Sequence, residues 1–195
     1  TQLMAVAIRV AKQHYGLTVV DVPFSDYNTP DDALNDGSLD LLLSTYVNDL
    51  DDFNCTSLGR ANVSIVARKG HPAIDGEVTL EQFQTLGHMA LVQELRNLTR
   101  TDELLRAMNI DRHIAYTVTK FWSFPHILTH TDLIAMLPTD FAQLAAQYYP
   151  LSVYPTPFEM PKQKVYMTWK KNRDNDPGHR WLRERVLTAY EEQAG

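Results

Sequence analysis

The sequence has 195 residues, of which 44% are hydrophobic and 22% are charged, and its formal net charge is −6. These values predict a folded globular protein and argue against disorder. No apolar run approaches the roughly 18 residues of a membrane span, and a negative chain repels the phosphate backbone of nucleic acids. The single cysteine, Cys55, excludes an internal disulfide and a cysteine-rich metal site, and a buried or unreactive thiol is expected.

The first part of the chain alternates between predicted helices and strands. Apolar residues at helical spacing predict an opening helix over residues 3–11, and valine-rich Leu17–Val22 predicts a strand. Asp31–Asn35 predicts a short helix that Gly37 closes. The nearly continuous apolar run Leu39–Leu43 is typical of a strand buried on both faces. This order of elements, with short connections, indicates α/β structure with a parallel sheet.

The rest of the chain continues this alternation and divides into two units. Predicted strands cover residues 62–67, 89–92, 113–119, 133–137 and 163–169. Predicted helices cover residues 79–85, 101–108, 121–129, 139–147 (capped by Thr139) and 179–193. Pro150–Pro161 holds four prolines and predicts an extended connector. The predicted units are residues 1–67 with 162–195 and residues 68–161, joined by two crossing strands, and ligands favour the clefts of such arrangements.

Four strings in this sequence resemble those of LysR-type bacterial transcriptional regulators, in the same order along the chain. Asp36–Leu43 resembles their G-x-L-D-L/V strand start, and Val66–Pro72 resembles their strand that runs into a His-Pro turn. Leu133–Pro138 is similar to their G-I-A-L-L-P strand. Arg173–Arg183 resembles the closing segment of the branch that regulates nodulation genes and aromatic-compound degradation. Together the strings identify the chain as similar to the effector-binding domain of this family.

The resemblance implies a two-lobed, periplasmic-binding-protein-like (type 2) α/β fold, in which each lobe has a mostly parallel sheet and two crossover strands join the lobes. It implies a cytoplasmic transcription regulator whose cleft takes a small effector, often an aromatic acid or another small carboxylate. It also implies a homodimer that forms a tetramer in the full-length protein. The family's winged helix-turn-helix and linker helix would precede Thr1, so DNA is expected to bind only through that missing domain. An effector that prefers one lobe arrangement would shift the spacing of those domains.

Most candidate effector-binding residues lie where predicted strands end and helices start, because free backbone N–H groups there favour anions, while Thr131 and Asp132 begin a predicted strand. Hydroxyls can orient a carboxylate, Arg60 could pair one in bidentate fashion, and Trp122 could stack on an aromatic effector. The alternatives are turn capping for the hydroxyls, a surface position for Arg60 and a core position for Trp122. The predicted effector-binding residues are Ser44, Thr45, Tyr46, Arg60, Gln93, Asn97, Thr99, Thr119, Trp122, Ser123, Thr131 and Asp132.

Other functions have weaker support in the sequence. An extracytoplasmic solute-binding receptor of the same architecture is the alternative function. An enzyme is not expected, since no nucleophile elbow, Walker loop or dinucleotide fingerprint is present, and no cofactor is expected. His126 and His130 are four apart on one predicted helix, but without a third ligand no metal site is expected. Apolar helix faces near residues 3–10 and 141–149 could serve a dimer or could be buried within the chain.

Overall fold

The structure is a computed structural model that describes residues 30–44, 51–91 and 100–194. The described strands are β1 (Leu42–Ser44), β2 (Phe53–Ala61), β3 (Val63–Arg68), β4 (Gly87–Leu91), β5 (His113–Val118), β6 (Ile134–Pro138), β7 (Leu151–Tyr154) and β8 (Gln163–Lys170). The described helices are α1 (Pro30–Asn35), α2 (Leu80–Thr85), α3 (Arg100–Ala107), α4 (Ser123–Thr129), α5 (Thr139–Tyr148) and α6 (Pro177–Ala194). The predicted opening helix and the predicted strand Leu17–Val22 lie outside the described residues.

The chain divides into two compact units. Unit 1 comprises residues 1–61 with 163–195, and unit 2 comprises residues 62–162. The sequence placed residues 62–67 in the first unit, whereas in the structure they form most of β3. Because β3 pairs with β6 and β7, its hydrogen bonds join it to unit 2.

In unit 1 the described strands form an antiparallel sheet in the order β1-β8-β2. Met167 and Trp169 of β8 pack against Val186 of α6, and these three buried residues form the core of this unit's described part. The alternation along β8 explains the packing, since every second side chain of a strand points to the same face. The predicted closing helix over residues 179–193 is confirmed as α6.

The prediction that Leu39–Leu43 forms a strand buried on both faces in a parallel sheet is wrong. The observed strand covers only Leu42–Ser44, is half-buried, and pairs antiparallel with β8. The polar turn before it is the physical reason. Gly37 adopts a φ of 79°, and the Asp36 carboxylate accepts a 2.8 Å hydrogen bond from the backbone N–H of Ser38. After this turn the Leu39 N–H donates to the Ala33 carbonyl at 2.9 Å and the Asp40 carbonyl accepts from His179 at 2.8 Å, so these two residues bond outside the sheet.

Unit 2 is built on a five-stranded sheet in the order β5-β4-β6-β3-β7. β4 is parallel to β5 and β6, whereas β3 is antiparallel to β6 and β7, so the sheet is mixed rather than mostly parallel. One apolar cluster includes Phe124 of α4 and Phe141 of α5, and another includes Phe83 of α2 and Leu105 of α3. Helices therefore bury two separate clusters against this sheet, as α/β architecture requires.

The proline-rich segment Pro150–Pro161 was predicted as an extended connector, but its first part is strand β7. Val66 and Ala67 of β3 lie opposite Val153 and Ser152 of β7. Prolines are tolerated at strand ends and on edge strands, and Pro150 and Pro155 flank β7. The prolines therefore bound a short strand here.

Helix α5 begins at Thr139, but the Thr139 side chain does not cap it. The N-cap is Pro138, and no side-chain hydrogen bond caps this end. The Thr139 hydroxyl instead lies 2.8 Å from the hydroxyl of Ser64 on β3. Of the two uses predicted for the apolar face near residues 141–149, a dimer or burial within the chain, burial is observed for Phe141 and Ala145, which lie in the core of unit 2. The equivalent face near residues 3–10 lies outside the described residues.

Helix α2 begins with a reciprocal capping arrangement. The backbone N–H of Gln82 donates to the Thr79 hydroxyl at 3.2 Å, and the backbone N–H of Thr79 donates to the Gln82 side chain at 2.8 Å. We expect Thr79→Ala to lower the free energy of unfolding by about 1 kcal/mol in a urea titration, because a helix N–H loses its acceptor. The control is Thr85→Ala, whose hydroxyl bonds a carbonyl within the same helix. Equal losses in both variants would contradict a specific role for the cap.

Candidate functional site

The carboxyl ends of three parallel strands meet at one edge of the unit 2 sheet. Leu91 of β4 pairs with Val118 of β5, while β6 runs in the same direction and ends at Pro138. Val63 pairs with Pro138, so β3 begins at this edge. We call residues 62–64, 119–123 and 138–139 the carboxyl rim. In α/β sheets ligands bind outside the carboxyl ends of parallel strands, so the carboxyl rim is the candidate site in unit 2.

Trp122 is the most exposed aromatic side chain on the carboxyl rim. Its side chain is 58% exposed, so the core position considered for it is wrong. Its ring centroid lies 5.6 Å from that of Phe141 in an edge-to-face arrangement, and Phe121 contacts Phe124 and Phe141 in turn. Trp122 is therefore anchored on one side by core phenylalanines while much of its surface faces solvent. Such a ring can stack on a planar ligand.

Polar residues flank Trp122 in the sequence of the carboxyl rim. Thr119 is exposed after β5, and Ser123 is half-buried at the first position of α4. The sequence analysis missed Lys120, which is exposed between Thr119 and the aromatic pair. The sequence feature that could have identified Lys120 is its position, a cation at a predicted strand-to-helix junction. An ammonium group and hydroxyls beside an aromatic ring are suited to a planar carboxylate.

The sequence analysis also missed the hydroxyl pair of Ser64 and Thr139. Ser64 is buried, and its hydroxyl lies 2.8 Å from that of Thr139 at the carboxyl rim. The backbone N–H of Thr139 donates to the carbonyl of Asn62 at 2.9 Å. These bonds fix the start of β3 to the start of α5. The sequence signal for this pair was weak, because only the tertiary fold brings the two hydroxyls together.

Thr131 and Asp132 do not lie with Trp122. They precede β6, at the amino ends of the parallel strands, and the length of β6 separates them from the carboxyl rim by roughly 13 Å. Arg68 Nε lies 2.7 Å from the Asp132 carboxylate in an ion pair, and His71 Nε2 donates to the Asp132 backbone carbonyl at 2.9 Å. The Thr131 hydroxyl donates to a carbonyl of the preceding helix. Asp132 therefore holds Arg68 through its side chain and the His-Pro turn through its backbone, and the Thr131 side chain bonds the end of α4.

The remaining candidates divide between unit 1 and undescribed segments. Ser44 ends β1 opposite Tyr166, and Arg60 is exposed on β2 opposite Lys164, so both lie toward the start of β8. The other predicted residues lie outside the described residues, and they are Thr45, Tyr46, Gln93, Asn97 and Thr99.

Two of the family-like strings meet in unit 1 through buried His179. The His179 Nε2–H donates to the carbonyl of Asp40 at 2.8 Å, and an Arg183 N–H donates to His179 Nδ1 at 2.7 Å. The Arg183 guanidinium also stacks on Trp169, 4.6 Å from the ring centroid. The Trp169 indole N–H donates to Asp174 at 2.7 Å, and this bond is the main cause that lowers the pKa of that carboxyl group. The two strings thus stabilise the packing of α6 on the sheet.

A surface depression of about 320 Å³ lies in unit 1, between the turn after α1 and the end of β8. Its cations already have partners: Lys170 donates to the carbonyl of Asn35 at 2.7 Å, and Arg173 contacts Asp40 at 3.2 Å. None of the predicted effector-binding residues lines this depression.

Within residues 30–44, 51–91 and 100–194, no group of three or more histidine, cysteine or acidic side chains is placed to hold a metal ion. Among the described helices, none is both long and apolar enough to cross a bilayer. The single cysteine, Cys55, was expected to be buried or unreactive, and the structure excludes the first of these because Cys55 is exposed on β2.

Comparison with known proteins gives consistent results. The family described as "LysR substrate binding domain" matches residues 1–191. The transcriptional activator NahR of Pseudomonas putida is 28% identical over 158 residues, which cover 81% of this chain and 53% of NahR. The chain thus spans about half the length of the curated relatives it matches.

Solved structures share the fold at low sequence identity. The regulatory domain of MexT, a transcriptional activator in Pseudomonas aeruginosa, has a TM-score of 0.78 at 22% identity and covers 96% of this chain and 91% of that domain. The effector binding domain of QuiR in complex with shikimate has a TM-score of 0.67 at 19% identity and covers 83% of this chain and 77% of that domain. The fold is thus that of LysR regulatory domains, the type 2 periplasmic-binding-protein-like fold.

Proposed function

The chain belongs to the LysR substrate-binding domain family, and from this premise we propose that it is the effector-sensing domain of a cytoplasmic LysR-type transcriptional regulator. Its curated relatives are helix-turn-helix regulators, and the matched part covers only 53% of their length. In the proposed whole protein, DNA is bound by a part outside these 195 residues, and copies assemble as homodimers and tetramers. The net charge of −6 supports this division, because a negative domain does not attract DNA. The domain itself is not an enzyme in this proposal.

The proposed effector is a small planar carboxylate that binds at the carboxyl rim of unit 2. The exposed ring of Trp122, held on Phe141, is the observation that carries this proposal. Lys120 and Thr119 supply a charge and a hydroxyl beside that ring. A protein of the same fold, QuiR, is known in complex with shikimate, which supports a small-molecule effector. Ser44 and Arg60 stay predicted contacts in unit 1.

Effector binding regulates only if the effector has different affinities for two states of the protein, since a ligand with equal affinity for both shifts nothing. The proposed states differ in their affinity for the operator. In the whole protein, effector should therefore change the DNA footprint or the salt-corrected affinity for DNA. A footprint that is identical at saturating effector would contradict a regulatory role.

A thermal-shift screen of the chain against aromatic acids, alicyclic acids, amino acids and sugars tests the effector class. We expect an aromatic acid at 100 times its dissociation constant to stabilise the fold by about 2.7 kcal/mol, a shift of a few degrees. Trp122→Ala should weaken binding about tenfold, because stacking on an aromatic ring contributes up to about 1.5 kcal/mol and a tenfold change corresponds to about 1.4 kcal/mol. The same acid concentration should then stabilise by only about 1.4 kcal/mol.

The matched control for this screen is Tyr148→Ala. Tyr148 is 76% exposed at the carboxyl end of α5, away from the carboxyl rim, so its loss should leave the ligand-induced shift unchanged. Asp132→Ala should also leave the shift unchanged, because Asp132 lies at the opposite edge of the sheet. Stabilisation only by sugars or amino acids, or full stabilisation of Trp122→Ala, would overturn the proposed effector class.

A further inference from the structure

Helix α4 carries two histidines on consecutive turns, and the proposed function uses neither. His126 lies in the last turn of α4 and His130 is its C-cap residue. Both side chains are exposed, and their ring centroids lie 4.9 Å apart. Residues four apart on a helix are neighbours on its surface. The two imidazoles therefore form a pair that solvent and ions can reach.

One hydrogen bond fixes the tautomer of His130. His130 Nδ1 lies 2.8 Å from the carbonyl oxygen of His126. A carbonyl can only accept, so Nδ1 carries the proton and Nε2 of the neutral ring keeps its lone pair. Metal-ligating histidines commonly donate their other ring N–H to a backbone carbonyl in this way, which orients the ring and raises its basicity as a ligand. His130 thus already has the second hydrogen bond of a metal ligand.

No metal site was expected here for want of a third protein ligand, and none is found among the described residues. Because the His130 ring is already oriented by a hydrogen bond, we propose that His126 and His130 nevertheless chelate a divalent transition-metal ion through two imidazole nitrogens. Bonds of about 2.0–2.1 Å and a tetrahedral angle place two ligand nitrogens about 3.3 Å apart. The ring centroids lie 4.9 Å apart, so chelation requires the exposed His126 side chain to rotate toward Nε2 of His130, whose ring keeps its bond to the His126 carbonyl. Because the described residues supply only two ligands, water or an added ligand fills the remaining positions. The site is therefore exchangeable, unlike a closed structural zinc site.

The ligand chemistry predicts which ions bind. Neutral imidazole suits Cu²⁺, Zn²⁺ and Ni²⁺, with Cu²⁺ bound most tightly, whereas Mg²⁺ prefers oxygen ligands. Affinity should fall on acidification, since the ligands must be deprotonated. Binding joins the last turn of α4 to its C-cap, so the metal should also raise the melting temperature.

Calorimetric titration of the chain without a polyhistidine tag tests this site with CuCl₂, ZnCl₂ and MgCl₂ at pH 7.5. We expect binding of Cu²⁺ and Zn²⁺, in that order of affinity, and none of Mg²⁺. His126→Gln and His130→Gln should each weaken binding more than about tenfold, because either change leaves a single ligand in place of a linked pair. The double variant should bind the metal only slightly more weakly than either single variant.

His113→Gln is the matched control, since His113 is also exposed but lies on β5 without a second described histidine four residues away. It should bind metal as the unchanged chain does. Circular dichroism melts without metal show whether each variant is folded. Both His126 and His130 are exposed, so their replacement should not disturb the fold. Equal metal affinity in His126→Gln, His130→Gln and His113→Gln would place the metal elsewhere and overturn the proposal. Binding of Mg²⁺ with similar affinity would overturn it as well.

Discussion

Replacing Asp102 with alanine should lower the free energy of unfolding by about 3 kcal/mol. Arg112 precedes β5 and donates from Nε and Nη2 to the same Asp102 oxygen, at 2.9 and 2.6 Å. The Arg112 side chain is only 7% exposed. Without Asp102 its charge stays buried and uncompensated, and removal of one partner of a buried ion pair costs about 3–5 kcal/mol. The lower end applies because the Asp102 side chain is 24% exposed. Urea titration measures the loss.

Two further variants distinguish the cost of leaving the Arg112 charge buried from the cost of removing any carboxylate. Asp132→Ala removes the partner of Arg68, where the two side chains are 29% and 60% exposed. It should cost at most about 1 kcal/mol, since exposed pairs contribute little. The double variant Asp102→Ala with Arg112→Met should recover most of the stability, because no charge is then left buried. A double variant as unstable as Asp102→Ala alone would show that the cost has another origin.

The helices could be predicted because local chemistry fixes their ends. Helix α6 was expected over residues 179–193 and is found over Pro177–Ala194. Proline is favoured at the first helical position, and the Asp176 carboxylate accepts the backbone N–H of His179 at 3.0 Å. These signals lie within a few residues of the helix end. Sequence reasoning therefore finds such an end within one or two residues.

Strand β2 could not be predicted from its own residues. Its sequence, FNCTSLGRA, holds asparagine, serine and glycine, which are poor strand formers. The register shifts between Ser57 and Gly59, and the φ of Gly59 is 155°. A Cβ atom at Gly59 would lie 2.7 Å from Tyr190 of α6, so glycine is needed for this close approach. Pairing with β8, which is distant in sequence, determines this strand.

The candidate site was predicted in part, and strand direction decided which part. Trp122 and Ser123 follow a strand, so they lie at the carboxyl rim as expected. Thr131 and Asp132 precede a strand, and parallel strands place such residues at the opposite edge. Lys120 and the hydroxyl pair of the carboxyl rim were missed because single polar residues carry no spacing pattern. The sequence thus located the rim but only some of its side chains.

Acidification should remove about 3 kcal/mol of stability through His88 alone. This histidine is fully buried on β4, and burial lowers its pKa from the usual 6.5 to about 4. The hydrogen bond from His88 Nε2–H to the carbonyl of Phe83, at 2.7 Å, and the Asp102 carboxylate oppose this shift, while Arg112 and His113 add to it. His88 Nδ1 has no hydrogen-bond partner among the described residues. The folded protein therefore holds His88 neutral.

The sign of this pH dependence follows from proton uptake. Between pH 6.5 and 4 the unfolded chain binds a proton at His88 that the folded chain does not, so stability is complete above pH 6.5 and falls as the pH falls toward 4. Each unit of pKa difference contributes about 1.4 kcal/mol, which gives about 3 kcal/mol in total. Below pH 4 both states carry the proton, and His88 causes no further loss.

His88→Gln tests this contribution, because glutamine can still donate to the Phe83 carbonyl but does not titrate. We expect its stability between pH 7 and pH 4 to fall less steeply than that of the unchanged chain, by about 3 kcal/mol over the whole range. His126→Gln, at an exposed position on α4, should keep the original pH dependence. Urea titrations at half-unit pH steps compare the three chains. Parallel stability curves for all three would mean that protonation of His88 does not drive the acid loss, and the exposed carboxylates would then be its source.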